Sequence, residues 1–105
     1  MLYDGCIKNI KLARMAMESD NISKTHECLV KAQAIIGEFI NTLNRDYDIS
    51  TNLASLYEYI LRLLIDANVK KKPELLEEPL EMLVELRDTW AEAVQLDRKQ
   101  NYGAV

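Results

Sequence analysis

The residues of this sequence that could carry out chemistry are few, and they form no recognisable catalytic set. The chain has one histidine, His26, which lies in a helical pattern beside Thr25 and Glu27. A hydrolytic triad or an acid–base pair usually places a histidine beside a nucleophile, and no such arrangement surrounds His26. A lone helical histidine can still accept a phosphoryl group on a four-helix bundle. A phosphotransfer function of His26 is therefore one alternative for this chain.

The remaining candidate groups predict neither a metal site nor a nucleotide site. The two cysteines, Cys6 and Cys28, form no Cys-x-x-Cys pair, and one histidine adds too little for a zinc site. The three glycines are too scattered to build a loop that cradles phosphate. We expect two reduced, partly buried thiols that pack as small hydrophobic side chains. We also expect no metal, no cofactor and no enzymatic activity.

The composition narrows the class of protein. The chain has 105 residues, of which 49% are hydrophobic and 29% charged, and it has only three glycines and two prolines. These values favour one folded, all-α domain. The net charge of -4 argues against binding to nucleic acid, which requires a basic face. No apolar run approaches the roughly 20 residues of a membrane span, and no signal peptide opens the chain. We expect a cytosolic protein that does not insert into membranes.

The apolar residues recur at the spacing of amphipathic helices and predict four of them, at about 2–18, 22–45, 51–70 and 73–99. Their connections are short, so consecutive helices should be antiparallel neighbours. The predicted fold is an antiparallel four-helix bundle over residues 1–100, followed by a frayed tail at 101–105. The polar residues at 19–21 should cap the second helix and Ser50 the third. Pro79 predicts a kink or a separate first turn over 73–78.

The third predicted helix is apolar over more of its circumference than a small bundle requires. One stripe of residues 52–69 has the spacing of a buried face, and further apolar residues widen it on both sides. Tyr59 and Leu63 widen it on one side, and Leu61 and Ile65 on the other. A helix that is apolar nearly all round must be covered nearly all round. Periodicity does not decide between two molecules that could cover this surface. One is an amphipathic helix of another protein bound in a groove, and the other is a second copy of this chain.

Arg87 falls within the apolar stripe of the fourth helix. The interpretation we favour is that its stem lies on the core while the guanidinium reaches an acidic neighbour or water. The alternative is a charge that faces a binding partner.

The residues also resemble a known family in an ordered set that spans positions 1 to about 94. The set comprises Met-Leu-Tyr-Asp-Gly at 1–5, Ala-Gln at 32–33, Leu-Asn at 43–44, Asn-Leu at 52–53, Leu56, Tyr57, Tyr59, Ala-Asn at 67–68, Arg-Asp at 87–88 and Trp90. This set is similar to that of FliS, the flagellar export chaperones that bind flagellin. Members of that family begin with a further tyrosine-bearing segment that can cover the client groove. We expect that segment to be absent here, which would favour self-association.

The resemblance implies a function as well as a fold. The client would be the C-terminal segment of flagellin, disordered when free, which wraps an antiparallel helical bundle in the bacterial cytosol. Binding would prevent premature polymerisation, and the chaperone would deliver flagellin to the flagellar type III export machinery. The rivals are the phosphotransfer module and a structural bundle that forms homo-oligomers. The client-binding residues that we predict are Tyr57, Tyr59, Ile60, Leu61, Leu64 and Ile65, with Ile7 and Ile10 as additions.

Overall fold

The structure, a computed structural model, describes the backbone of residues 2–43 and 48–103 and the side chains of residues 3–43 and 50–92. Within that part of the chain there are four α-helices, one short 3-10 helix (η1) and no strands. The elements are α1 (Leu2–Glu18), α2 (Ile22–Thr42), α3 (Asp48–Lys70), η1 (Pro73–Leu76) and α4 (Glu77–Gly103). The predicted all-α four-helix bundle is confirmed.

The four helices pack in a ring around one apolar core. Helix α1 contacts α2 and α4, and α3 contacts the same two helices, while η1 touches both α1 and α3. The bundle is elongated, with dimensions of 56 × 25 × 18 Å. Each helix contributes side chains that are fully buried. The largest of these are Ile10, Leu29, Ile36, Ile60, Leu64, Leu76 and Leu83.

The polar break between α1 and α2 makes a tight reversal. Asp20 adopts a left-handed backbone conformation, with φ of 55°. The backbone N–H of Asn21 then donates to the carbonyl of Ala16 at 2.8 Å, which satisfies an acceptor at the end of α1. The Asn21 side chain accepts a hydrogen bond from the backbone N–H of Lys24 at 3.1 Å. The prediction that this segment caps α2 is confirmed, and Asn21 is the capping residue.

Two helix boundaries differ from those predicted. Helix α2 ends at Thr42 rather than at 45, because Leu43 is extended, with ψ of 133°. Residues 44 and 45 of the predicted helix lie outside the described residues. Helix α3 begins at Asp48, so Ser50 lies inside its first turn and is buried. The prediction that Ser50 caps α3 was wrong, because the helix begins before it, at Asp48.

The two prolines lie in the connection between α3 and α4 and in the first turn of α4. Lys71 ends α3 in a left-handed conformation, and its backbone N–H donates to the carbonyl of Ala67 at 2.8 Å. Pro73 then opens η1, which is the separate first turn that the sequence predicted as one of two outcomes. Because α4 begins at Glu77, Pro79 lies in its first turn, where a missing N–H leaves no helical bond unmade. Helix α4 continues to Gly103, past the predicted end at 99 and into the predicted tail.

Candidate functional site

Most of the predicted binding residues are part of the core. Five of the eight side chains are at most 3% exposed and pack together in one apolar cluster. They hold the helices to one another and present no surface to a second molecule in this structure. Periodicity gave Tyr57, Ile60 and Leu64 the spacing of a buried face but left open which apolar residues of the helix face a client. The five buried residues are Ile7, Ile10, Tyr57, Ile60 and Leu64.

The other three predicted residues lie at or near the surface, on two different sides of α3. Tyr59 is 41% exposed and Ile65 is 46% exposed, while Leu61 is partly buried against the core. At about 100° per residue, Tyr59 points roughly 160° away from Leu61 and roughly 120° away from Ile65. The three side chains therefore form two separate apolar flanks rather than one patch.

One flank of α3 faces α4. The Tyr59 hydroxyl donates to the two carboxylate oxygens of Glu78, at 2.6 and 3.1 Å. This hydrogen bond raises the pKa of the Tyr59 hydroxyl above its ordinary value. A groove of about 270 Å³ lies along the same side of the bundle, between α3 and α4. We call it the α3–α4 groove, and its lining residues are Leu56, Met82, Glu85, Leu86 and Thr89.

Sequence reasoning missed the apolar residues of the α3–α4 groove. Leu56 has the spacing of the buried stripe, yet it is 40% exposed. It lies at the edge of that stripe, where α4 covers it only in part. Met82 and Leu86 are partly buried beside the core. Their spacing of four residues on α4 was the available signal, since such a pair forms an apolar strip along one side of a helix.

The opposite flank of α3 faces α2 and is marked by a side-chain hydrogen bond between the two helices. Nδ1 of His26 lies 3.1 Å from the side-chain amide nitrogen of Asn68. The side-chain oxygen of Asn68 accepts a hydrogen bond from the Lys71 ammonium group at 2.7 Å. Val30 follows His26 by one turn of α2, and Ile65 precedes Asn68 by about one turn of α3. Because α2 and α3 are antiparallel, Val30 and Ile65 both lie along the contact between these helices, on the same side of the His26–Asn68 hydrogen bond. Both side chains are exposed. We call this strip, with Leu61, the α2–α3 flank.

The hydrogen bond to Asn68 shows how the His26 imidazole is used in the fold. Because Lys71 binds the Asn68 oxygen, the amide NH₂ group faces the imidazole and donates to Nδ1. His26 thus contributes to the packing of α2 on α3. Among the described residues, no group of three or more His, Cys, Asp or Glu side chains is arranged to hold a metal ion. Both cysteine thiols are free and buried.

An aromatic cluster explains why Tyr57 is in the core. The Tyr3 ring lies 4.8 Å from that of Phe39, which lies 5.4 Å from that of Tyr57. The hydroxyls of Tyr3 and Tyr57 hydrogen bond to each other. Burial, together with this bond, raises the pKa of Tyr3, and a hydrogen bond with Trp90 partly opposes that rise. Helices α1, α2 and α3 each supply one ring, so this aromatic cluster ties these three helices together.

Arg87 links α4 to α1. Its Nη1 donates to Oδ1 of Asp4 at 3.1 Å, and its Nε donates to Oδ1 of Asp88 at 3.2 Å. The prediction that the guanidinium reaches an acidic neighbour from the edge of the core is confirmed.

None of the helices in the described part of the chain is long and apolar enough to cross a membrane.

Comparison with known proteins identifies close relatives. A family model described as "Flagellar protein FliS" matches residues 1–97. The "Flagellar secretion chaperone FliS" of Bacillus subtilis is 40% identical over 104 residues, which cover 99% of this chain and 78% of that protein. The "Flagellar secretion chaperone FliSB" of Pseudomonas aeruginosa is 33% identical over 86% of this chain and 73% of its own length. The FliS chaperone of Salmonella typhimurium is 30% identical over 86% and 69% respectively.

Proposed function

This chain belongs to the FliS family of flagellar proteins, and from that premise we propose that it is a cytosolic secretion chaperone that binds the C-terminal segment of flagellin. Its relatives carry the name of flagellar secretion chaperones. In this proposal the chain keeps flagellin from polymerising before export and delivers it to the flagellar type III export machinery. The function requires binding alone, without catalysis or a cofactor.

The observation that carries this proposal is the pair of apolar strips on either side of α3. Leu56 and Tyr59 are exposed along the α3–α4 groove, and Val30 and Ile65 along the α2–α3 flank. A client that is disordered when free loses conformational entropy on binding, so it needs extended apolar contact to offset that loss. Two strips on one helix provide such contact to a segment that passes over both. The contact residues we propose are therefore Leu56, Tyr59, Leu61 and Ile65.

The buried residues of the sequence prediction have a different part in this proposal. Tyr57, Ile60 and Leu64 fix the rotation of α3 against the core, and Ile7 and Ile10 fix that of α1. They determine which side chains reach the surface and do not themselves contact the client.

The test is isothermal titration of this chain with a peptide that covers the C-terminal segment of flagellin from the same organism. We expect binding with a negative heat-capacity change, because apolar surface is buried. The Leu56→Ala/Ile65→Ala variant removes one apolar contact from each strip and should weaken binding about tenfold or more. The matched control, Met15→Ala/Ile22→Ala, removes two exposed apolar side chains from α1 and α2. It should bind as the unaltered chain does.

Three outcomes would count against the proposal. Absence of binding would reject flagellin as the client, and equal weakening by both double variants would reject the two strips as its site. The third outcome is tested by sedimentation equilibrium, which measures the oligomeric state of the chain alone. A stable dimer that the Leu56→Ala/Ile65→Ala change dissociates would assign the strips to a second copy.

A further inference from the structure

A third surface lies between α1 and α4, away from both strips on α3. It is a broad groove of about 590 Å³, which we call the α1–α4 groove. Leu80 and Val84 form its apolar floor, and both pack against the core. Lys11 lines it from α1. Its other wall consists of acidic residues of α4, namely Glu81, Glu85, Asp88 and Glu92.

The acidic residues of α4 form one continuous stripe. Their spacing of four, three and four residues keeps them on one side of the helix over about 16 Å. Asp88 is paired with Arg87 at 3.2 Å. Among the described side chains, no cation lies within 4.0 Å of the carboxylates of Glu81, Glu85 or Glu92. The groove thus sets four carboxylates against one ammonium group, and three of the four have no ion pair with any side chain that the structure describes.

We propose that the α1–α4 groove binds a basic amphipathic helix of another protein. The apolar side of that helix would lie on Leu80 and Val84, and lysine or arginine side chains at matching spacing would face the carboxylates of α4. Charge complementarity selects this partner: cations on the incoming helix gain attraction along the whole stripe, whereas an acidic segment is repelled. A second copy of this chain is disfavoured for the same reason, since each copy carries a net charge of -4.

The partner helix would lie beside the client without displacing it. Glu85 and Thr89 line both the α1–α4 groove and the α3–α4 groove, so they form a ridge between the two. Segments bound on either side of that ridge would be neighbours on α4. The binding site for the basic helix is therefore free in the client complex as well as in the chain alone.

The probe is a fluorescent helical peptide of about five turns, or about 18 residues, with leucine at i, i+3, i+4 and i+7 and lysine on the flanking positions. A second peptide has the same composition in an order that has no apolar side. Fluorescence anisotropy at low and high salt measures the dissociation constant of each peptide with the full chain. The protein variants are Glu81→Gln/Glu92→Gln in the groove and Glu18→Gln/Glu38→Gln, a matched control with the same change in net charge.

We expect the amphipathic peptide to bind one per chain and the reordered peptide to bind more weakly. The groove variant should weaken binding about fivefold at low salt, and high salt should reduce that difference. The control variant should leave binding unchanged. The substituted side chains are exposed, and circular dichroism verifies that each variant is folded.

Four results would overturn the proposal. They are no binding of the amphipathic peptide, equal binding of both peptides, equal weakening by both variants, and displacement of the probe by the flagellin peptide. The last would assign the groove to the client. Because direct binding of the probe is measured without flagellin, failure of that binding leaves the proposed chaperone function standing, and failure of flagellin binding leaves this groove standing.

Discussion

At the scale of single residues, the hydroxyl pair of Tyr3 and Tyr57 accounts for a tyrosine in the core. Tyr57 is 3% exposed, and a phenolic hydroxyl at that depth is costly unless it has a hydrogen-bond partner. Tyr3 reaches across from α1 and supplies that partner. A tyrosine in an apolar stripe therefore does not by itself indicate a binding surface, since another tyrosine of the same bundle can supply the hydrogen-bond partner of its hydroxyl.

Removing both hydroxyls of this pair should cost less than the sum of removing each one alone. Tyr3→Phe leaves the Tyr57 hydroxyl unpaired and should lower the free energy of unfolding by about 1–2 kcal/mol. Adding Tyr57→Phe removes the orphaned group, so the double variant should be less destabilised than the sum of the two single changes. Urea denaturation of all four proteins measures this. Strictly additive effects would mean that the two hydroxyls do not interact in the folded chain.

Cys6 should make stability fall in alkaline solution. Burial raises the pKa of its thiol from 9.0 to about 12, so the folded state holds a proton that the unfolded state has released above pH 9. The stabilisation is complete below pH 9 and is lost as the pH rises towards 12, with a slope of at most about 1.4 kcal/mol per pH unit. The difference in unfolding free energy between the unaltered chain and Cys6→Ala should therefore shrink between pH 8 and pH 11.

The control for this experiment is Ile10→Val, which removes apolar volume from the same core but no titrating group. Its difference from the unaltered chain should stay constant over that range. A Cys6→Ala difference that also stays constant would show that the thiol ionises equally easily in both states.

At the scale of elements, the reversal between α1 and α2 depends on one residue with a left-handed backbone. Asp20 has φ of 55°, which costs a residue with a side chain more than it costs glycine. Asp20→Gly should therefore stabilise the protein by up to about 1 kcal/mol, while Asp20→Val should destabilise it. Thermal unfolding followed by circular dichroism measures both variants. Loss of stability in the glycine variant would mean that the Asp20 side chain contributes more than its backbone conformation costs.

Helix order and approximate bounds were predictable because apolar spacing and turn residues are local signals. The separate turn at Pro73 and the Asn21 cap followed from the same kind of signal. Two features were not predictable. Ser50 lies inside α3 because the helix begins at Asp48, and the exposure of Leu56 depends on how α4 packs against α3. That packing leaves Leu56 partly exposed, although its spacing places it with buried Ile60.

At the scale of the whole molecule, we propose that the chain unfolds as a single cooperative domain. The aromatic cluster draws on α1, α2 and α3, and the apolar core is one cluster that includes residues from all four helices. Trp90, the only tryptophan, reports on the middle of α4, where it lies near Tyr3. Denaturation curves from Trp90 fluorescence and from helical circular dichroism should coincide. An earlier fluorescence transition would show that α4 separates from the bundle before the rest unfolds.

The candidate site was predictable only in part, because sequence identifies surplus apolar surface but not its arrangement in space. The pattern pointed to α3 and to Tyr59, Leu61 and Ile65, which lie at or near the surface. It also placed Tyr59 on one side of the helix and Leu61 and Ile65 on the other, but it could not show that Met82 and Leu86 of α4 complete one of the grooves. That relation arises from packing between helices that are distant in sequence.

The central claim, that flagellin lies along both flanks of α3, is tested most directly by site-specific photocrosslinking. A benzophenone amino acid is placed at Leu56 in the α3–α4 groove, at Ile65 on the α2–α3 flank, or at Met15 on the exposed face of α1. Each protein is irradiated with the C-terminal segment of flagellin, and crosslinked peptides are identified by mass spectrometry. Crosslinks from Leu56 and Ile65 to different parts of that segment, with none from Met15, are the predicted result. Crosslinks from Met15 alone, or from only one flank of α3, would contradict the claim.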